Sequence, residues 1–306
     1  MPGPMQTGQF ANLLVPGFRK THFEELKAWP SMYSLFMNVT TTKRAFEEDQ
    51  YVPGFTSFGT KDEGEAINYG SAKYGAKIRY TMQSYGGGYR ITREMWDDDL
   101  YNIMKRMNKA HARGVNQVIE VQGHIVMNSA FDAAYPGWPE GDGTARELCH
   151  TAHVLSNGAT YSNKPATAIA LGQTALQASI MRFTKMTDEN SIPVMMNPVT
   201  LLLPVDLRFK AKELMLTEKK PDSADNTINA LQGEGIAWKT DIFLTSTTAW
   251  WLLAAKGDTD LWFYWRISPE FNGADDFDTG DSKFKTYCRF GRGHGDWRGV
   301  DGTPGV

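Results

Sequence analysis

The chain has 306 residues, 41% apolar and 22% charged, with 32 Lys and Arg against 35 Asp and Glu for a formal net charge of −3. That is enough apolar side chain for a sizeable core, expected to divide into two lobes, while the charge balance leaves no basic footprint of a dedicated nucleic-acid reader. The longest apolar run, Ala249 to Ala255, is too short to cross a membrane.

Cys149 and Cys288 are the two cysteines, far apart in sequence and without a signal-peptide pattern ahead of them, so a reducing compartment and unpaired thiols are expected. Residues 1–20 carry Pro2, Pro4, Pro16 and three glycines. They read as an extended arm with a few scattered apolar residues, held in place by neighbouring subunits. Residues 22–37 suggest a short helix or pair of turns broken at Pro30, with Phe23, Leu26, Trp29, Leu35 and Phe36 as packing anchors.

From Tyr51 to Ile91 the texture becomes rich in Gly, Tyr, Thr and Ser, with strand-like alternation from Lys77 to Met82. A β excursion with so few large aliphatic side chains cannot bury a core of its own and should find its partner on another subunit. The triplet Gly86, Gly87, Gly88 lacks the Gly-Lys-Ser/Thr ending of a phosphate loop and reads as backbone freedom at a strand-to-helix junction.

Residues 92–132 predict one long helix. Thr92 is the N-cap, Glu94 and Asp97 to Asp99 lie near the positive end of the dipole, and Pro136 with Gly137 mark the stop. Trp96, Leu100, Ile103, Met107, Ala110, Gly114, Val118, Val121, Ile125 and Ser129 draw one stripe, expected to face the core; Lys105, Arg106, Lys109 and Arg113 fall off it. About 40 residues make a rod of roughly 60 Å, which must lie across a domain or between subunits.

A Gly-rich linker after Pro139 opens a second, α/β lobe. Helices are expected near 168–184 and 205–216, a short buried strand at 197–204, an exposed loop at 221–235, and strands near 236–244, 249–255, 261–267 and 283–290 with an acidic loop at 272–281. The Trp and Tyr density of these strands reads as sheet core.

Catalytic patterns are sparse. Cys149, His150 and His153 bring three candidate metal ligands close in sequence, but their spacing aligns them poorly and a fourth ligand would have to come from afar. Asp97, Asp98 and Asp99 diverge by about 100° each on a helix and do not converge on a cation. No Gly-x-Ser-x-Gly or His-Glu-x-x-His occurs. His111 and His124, inside the long helix, read as packing or hydrogen-bonding residues. A metal-dependent hydrolase is thus a disfavoured alternative, and no cofactor is expected.

Three stretches carry a resemblance: EGEAINYGSAKYGAKIRYTMQSYGGGYRITREMWDDDLY at 63–101, LLLPVDLRFKAKELM at 201–215, and FLTSTTAWWLLA with the DWRGVDGTPG ending. Together with the order of parts they resemble the major capsid proteins of tailed bacteriophages, of the Hong Kong ninety-seven type fold, and within them a Mu-like head subunit or near relative. The resemblance implies an α+β chain with an N-terminal arm at 1–45, an E-loop β-hairpin at 46–91, a peripheral domain at 92–139 and 260–306 built on a spine helix, and an axial domain at 140–259. It implies intersubunit contacts through Phe10, Leu13, Leu14 and Phe18 of the arm and Lys61, Asp62, Glu63, Glu65, Lys73, Lys77 and Arg79 of the E-loop. The spine core would be Trp96, Leu100, Ile103, Met107, Val118 and Ile125.

The function so implied is self-assembly into pentamers and hexamers of an icosahedral head enclosing double-stranded DNA, contacted non-specifically, with assembly in the bacterial host cytoplasm and no membrane partner. A portal protein is an expected partner, as is a separate scaffolding protein, because no long charged helical domain precedes the arm; a decoration protein is an optional addition. Some relatives cross-link through an E-loop lysine; Lys61, Lys73 and Lys77 read instead as solvated or salt-bridging, so no cross-link is expected. An encapsulin-type shell around an enzyme cargo shares the fold and is the nearest alternative. A front third folded back on its own lobe around a closed pocket would contradict the container reading.

Overall fold

A computed structural model of the chain describes residues 11–51, 54, 59–67, 69, 75–98, 102–219, 228–276 and 279–306. Where the sequence suggests an extended arm, a helix appears: α1 spans Ala11–Ala28, passing through Pro16 and Gly17. Tertiary contacts override the local breakers. Asn108 and Asn116, eight residues apart on the long helix, donate to the carbonyls of Phe18 at 2.7 Å and Leu26 at 3.1 Å. Glu25 meets Arg113 at 2.8 Å and Lys109 at 3.8 Å. Phe18, expected on a neighbour, packs on Phe284 of its own chain with ring centroids 5.5 Å apart. Phe10 lies outside the described residues, as do the side chains of Leu13 and Leu14.

After the turn at Pro30, β1 (Asn38–Thr41) becomes one edge of a four-stranded sheet. β2 (Phe46–Gln50) and β3 (Lys77–Thr81) form an antiparallel hairpin stem pairing Phe46 with Thr81 and Gln50 with Lys77. β4 (Gln83–Ile91) then enters the four-stranded sheet as its other edge. The glycine triplet therefore lies within a strand, opposite Tyr287, Thr286 and Lys285, and not at a junction. At Gly88 the reason is steric, since a Cβ would come within 2.6 Å of the Phe284 carbonyl oxygen.

The expected single rod is two helices. α2 (Arg93–Asp97) is capped by Thr92, whose hydroxyl accepts from the Met95 N–H at 3.4 Å. α3 (Ile103–Asn128) starts afresh after Asn102, held in the left-handed region at φ 54°. Consecutive aspartates are poor helix-interior residues, and an asparagine tolerates the left-handed turn that separates the helices. The 26 residues of α3 give a rod of about 39 Å, not 60 Å.

The buried face of α3 is also rotated from the expected stripe. Met104, Asn108, Ala112, Ile119, Gly123, His124 and Val126 are buried, whereas Ile103 and Val118 are 42% and 40% exposed and Met107 and Ile125 only half-buried. Leu100 lies outside the described residues, and so does the side chain of Trp96. The cause is that polar residues point inward with partners waiting: Glu120 accepts the N–H groups of Met32 and Tyr33, both at 2.9 Å. His124 hydrogen-bonds the Glu120 carbonyl at 2.6 Å and Asp241 at 2.7 Å. A hydropathy pattern assigns such residues to solvent.

Two short ribbons follow, β5 (Pro136–Pro139) with β6 (Ala145–Glu147) and β7 (His153–Val154) with β8 (Thr160–Tyr161). The second lobe adds α4 (Gln173–Thr184), β9 (Thr200–Pro204), α5 (Arg208–Leu216), β10 (Ala237–Asp241) and β11 (Trp250–Leu253). The chain then returns through β12 (Leu261–Asp275) and β13 (Ser282–His294), the central strands of the first sheet, which has the order β1-β12-β13-β4. β12 runs into the expected acidic loop, covering its first four residues, 272–275.

The final strand, β14 (Val300–Thr303), crosses back to pair with β11, so the second sheet has the order β10-β9-β11-β14. Residues 260–306 are thus shared between the two sheets and do not belong to the first alone. One contiguous core runs from Trp251, Leu202 and Phe183 of the second lobe to Val126, Phe263 and Phe290 around α3 and the first sheet.

Candidate assembly surface

The stem of the hairpin is a two-stranded ribbon with one face packed on the body, where Tyr80 is buried with its ring 5.4 Å from that of Tyr264, and the other face, carrying Phe46, Glu48, Lys77 and Arg79, exposed. Arg79 reaches across it to Glu48, with Nε 2.8 Å and Nη2 2.6 Å from Oε1, and lies 4.2 Å over the Phe46 ring. At its root Tyr51 packs on Trp138 with centroids 4.9 Å apart, takes the Gly75 N–H on its carbonyl at 3.0 Å, and lies 5.9 Å from the Arg298 guanidinium. Burial there pushes the Tyr51 phenol well above its ordinary value. Asn190 ties the Gly54 carbonyl to the second lobe at 2.8 Å.

Beyond that root the described residues of the loop are unsheltered. Residues 59–67 and Tyr69 are exposed, Ile67 at 62% and Tyr69 at 87%. Gly64, at φ 82°, permits a turn in which the Glu65 N–H donates to the Asp62 carbonyl at 3.1 Å and the Asp62 N–H to the Glu65 carboxylate at 3.3 Å. Asp62, Glu63 and Glu65 accordingly stand in solvent beside Lys61, and Lys77 is exposed on the stem; Lys73 lies outside the described residues. The sequence reading named the charges of this loop but not its apolar tip, although Ile67 and Tyr69 stand among residues too small to cover them.

A second uncovered patch lies on α5, where Phe209 is 81% and Leu216 55% exposed, near Ile228 at 82%. Their spacing was legible: Leu207, Ala211, Leu214 and Met215 fill the inward face, which leaves Phe209 and Leu216 on the other.

Cys149, His150 and His153 are each tied into the fold. Cys149 is fully buried, and burial pushes its thiol up. His153 hydrogen-bonds Glu140 through Nδ1 and Asn163 through Nε2 at 2.9 Å, and stacks on Trp297 at 4.3 Å. The His150 Nδ1 accepts the Ala152 N–H at 2.9 Å. Among the described residues no three His, Cys, Asp or Glu side chains converge as a metal site, and no helix is long and apolar enough to cross a membrane.

Against this geometry, residues 75–300 match the phage capsid protein family, well over half of the chain. The chain belongs to that family. Solved structures agree in fold at low identity. A structure from Microbacterium phage Oxtober96 superposes with a TM-score of 0.54 at 8% identity, covering 88% of this chain and 86% of that one. One from Mycobacterium phage Patience gives 0.54 at 11%, covering 95% and 87%. The capsid of an empty GTA particle gives 0.54 at 10%, covering 88% of each. No curated protein matches in sequence.

This capsid protein therefore has the α+β Hong Kong ninety-seven type fold, and its place is in the virion head. Self-assembly into a shell makes sense of a loop whose described tip residues, Ile67 and Tyr69, stand exposed. The arm divides differently, because from Phe18 onward α1 lies on its own α3.

Proposed function

We propose that this major capsid protein builds the pentamers and hexamers of an icosahedral head around double-stranded DNA, as a Mu-like head subunit or near relative. The observation that carries the reading is the loop at 59–69, whose described residues are charged, apolar-tipped and uncovered by their own subunit. In this reading residues 46–91 are the E-loop, 92–139 and most of 260–306 the peripheral domain, and 140–259 the axial domain, with 1–45 as an arm anchored by α1. Symmetry repeats each modest contact many times, so individually weak contacts sum to a stable shell. Lys61, Asp62, Glu63, Glu65, Lys73, Lys77 and Arg79 would set register and partner choice more than affinity.

The protein acts by assembly and not by catalysis. A portal protein, a separate scaffolding protein and, in some particles, a decoration protein would join it in the host cytoplasm, and the DNA would be contacted without sequence preference. Deleting residues 60–75 tests the reading. We expect a soluble, folded subunit, by circular dichroism, that forms no closed shells by negative-stain microscopy; normal particles from that variant would refute the assignment. An enzyme-cargo container, the nearest alternative, would yield particles holding a protein cargo in place of DNA.

A further inference from the structure

Charge is not spread evenly over this chain. α1 and α3 together carry seven Lys and Arg against three Glu, a net +4 in a chain whose total is −3, so the remainder carries −7. All seven cations are exposed, whereas Glu120 is buried, which leaves Glu24 and Glu25 to answer them at the surface. Glu25 is shared by Arg113 at 2.8 Å and Lys109 at 3.8 Å, and Glu24 meets Lys20 at 3.9 Å. Arg19, Lys27, Lys105 and Arg106 make no ion pair among the described residues.

The two helices gather these cations onto one face. They lie side by side and run in the same direction, because Asn108 is bonded to Phe18 and Asn116 to Leu26, eight residues on in both. Arg106, Lys109 and Arg113, spaced by three and four, share one stripe of α3, and Lys20 and Lys27, seven apart, share one stripe of α1. At 1.5 Å per residue these five cations cover about 17 Å along the helices, and packed helices set the two stripes about 10 Å apart. The exposed residues beside them, Ala28, Ala110 and Gln117, are small or polar.

Such a face suits a repeating polyanion better than a protein. A protein interface is anchored by large aromatic or apolar side chains seated in pockets, which these stripes do not offer. A duplex presents a phosphate about every 3.4 Å along each strand, so about five phosphates of one strand lie along 17 Å, one for each of the five cations. The negative remainder of the chain repels the same duplex, which confines the contact to this face. We infer that the paired surface of α1 and α3 is turned toward the interior of the head and meets packaged duplex DNA at its phosphates, without reading its bases. This rests on the shell reading and names the surface that faces the DNA.

The salt dependence of DNA binding tests it. Fluorescence anisotropy of a labelled duplex of about 20 base pairs, titrated with the unassembled full-length subunit between about 50 and 200 mM salt, should give a slope of log affinity against log salt of about −4. Lys27→Gln/Arg106→Gln removes two exposed cations that have no ion pair among the described residues, so Tm should hold while the slope becomes shallower by about 2. Arg208→Gln/Lys212→Gln takes the same charge from the exposed surface of α5 and should keep the parent slope. Equal slopes for the two double variants, no binding by the parent at about 50 mM salt, or tighter capture of polyglutamate than of the duplex at equal charge concentration would overturn the DNA face, the last in favour of an acidic polypeptide. Each of those outcomes leaves the shell reading standing, because that reading fails only if the loop-deleted chain forms normal particles or the unaltered chain forms none.

Discussion

Glu120 is 6% exposed and holds the N–H groups of Met32 and Tyr33, one on each carboxylate oxygen. Removing an acceptor from buried donors costs about 1–3 kcal/mol per group left unpaired, so Glu120→Ala should lower the stability of the unassembled subunit by about 2 kcal/mol or more, read by urea titration. Acid should act through the buried histidines. Burial pushes His294 and His22 down to about 4 from 6.5, and neither ring nitrogen of His294 has a hydrogen-bond partner among the described residues. Between those values the unfolded chain takes protons that the folded chain refuses, so their contribution is complete above pH 6.5, shrinks as pH falls, and changes no further below about 4. Asp301 has the opposite sign, because burial raises it from 3.8 to about 6 despite Arg182 and Ser179, and the folded chain protonates first. Glu120 and Asp260, also raised by burial, act with Asp301, so the histidine share is read by substitution: His294→Phe should make the urea midpoint at pH 4.5 higher relative to that at pH 7 than it is in the parent chain, and an unchanged pH dependence would refute this account. These partners were illegible in sequence. The period of the α3 stripe could be read, but its phase was decided by Asn108, Glu120 and His124, whose partners Phe18, Met32, Tyr33 and Asp241 lie 87 to 117 residues away in the chain.

The hairpin separates contacts that decorate an element from those that hold it. Arg79 and Glu48 are 59% and 39% exposed, and such a pair contributes roughly 0–1 kcal/mol. Tyr51 instead fixes the point where the loop leaves the body, through Trp138, Gly75 and Arg298. Tyr51→Ala should therefore speed tryptic cleavage at Lys61 in the unassembled subunit with little change in urea midpoint, while Glu48→Ala should leave both unchanged; equal cleavage rates would show that the root does not govern the loop. At this scale the strands of the second lobe and the β3 alternation were legible because hydrophobic period and turn residues agree there. The arm and the spine were not. Pro16 argues against α1, yet Asn108, Asn116 and the Glu25–Arg113 pair hold it in place, and α2 ends at Asp97 with Asn102 left-handed ahead of α3 where the sequence pattern reads as one helix.

At the scale of the molecule, the closing segment joins the two sheets: β13 lies in the first and β14, six residues later, in the second. On the way, Trp297 stacks on His153, Arg298 binds Glu189 at 2.9 Å, and Asp301 receives Arg182 at 2.6 Å. Gly302 lies where a Cβ would come within 2.6 Å of the Cys149 sulfur, so the tail is packed to contact on the second lobe. The glycine-rich tail was read as rejoining the first sheet, because its sequence announces turns but not which edge β14 will find. A core continuous through both lobes should make the unassembled subunit melt as one unit, with circular dichroism and tryptophan fluorescence giving coincident transitions. Truncation after His294 should abolish that behaviour, since it strips β14 from β11 and leaves Glu189 and Arg182 without their buried partners, a class of loss that costs about 3–5 kcal/mol per broken buried pair. Two such losses approach the whole stability of an ordinary domain, so the truncated chain should be recovered insoluble or with non-coincident transitions. A soluble truncated subunit with a single sharp melt would mean that the lobes are stitched by α3 alone.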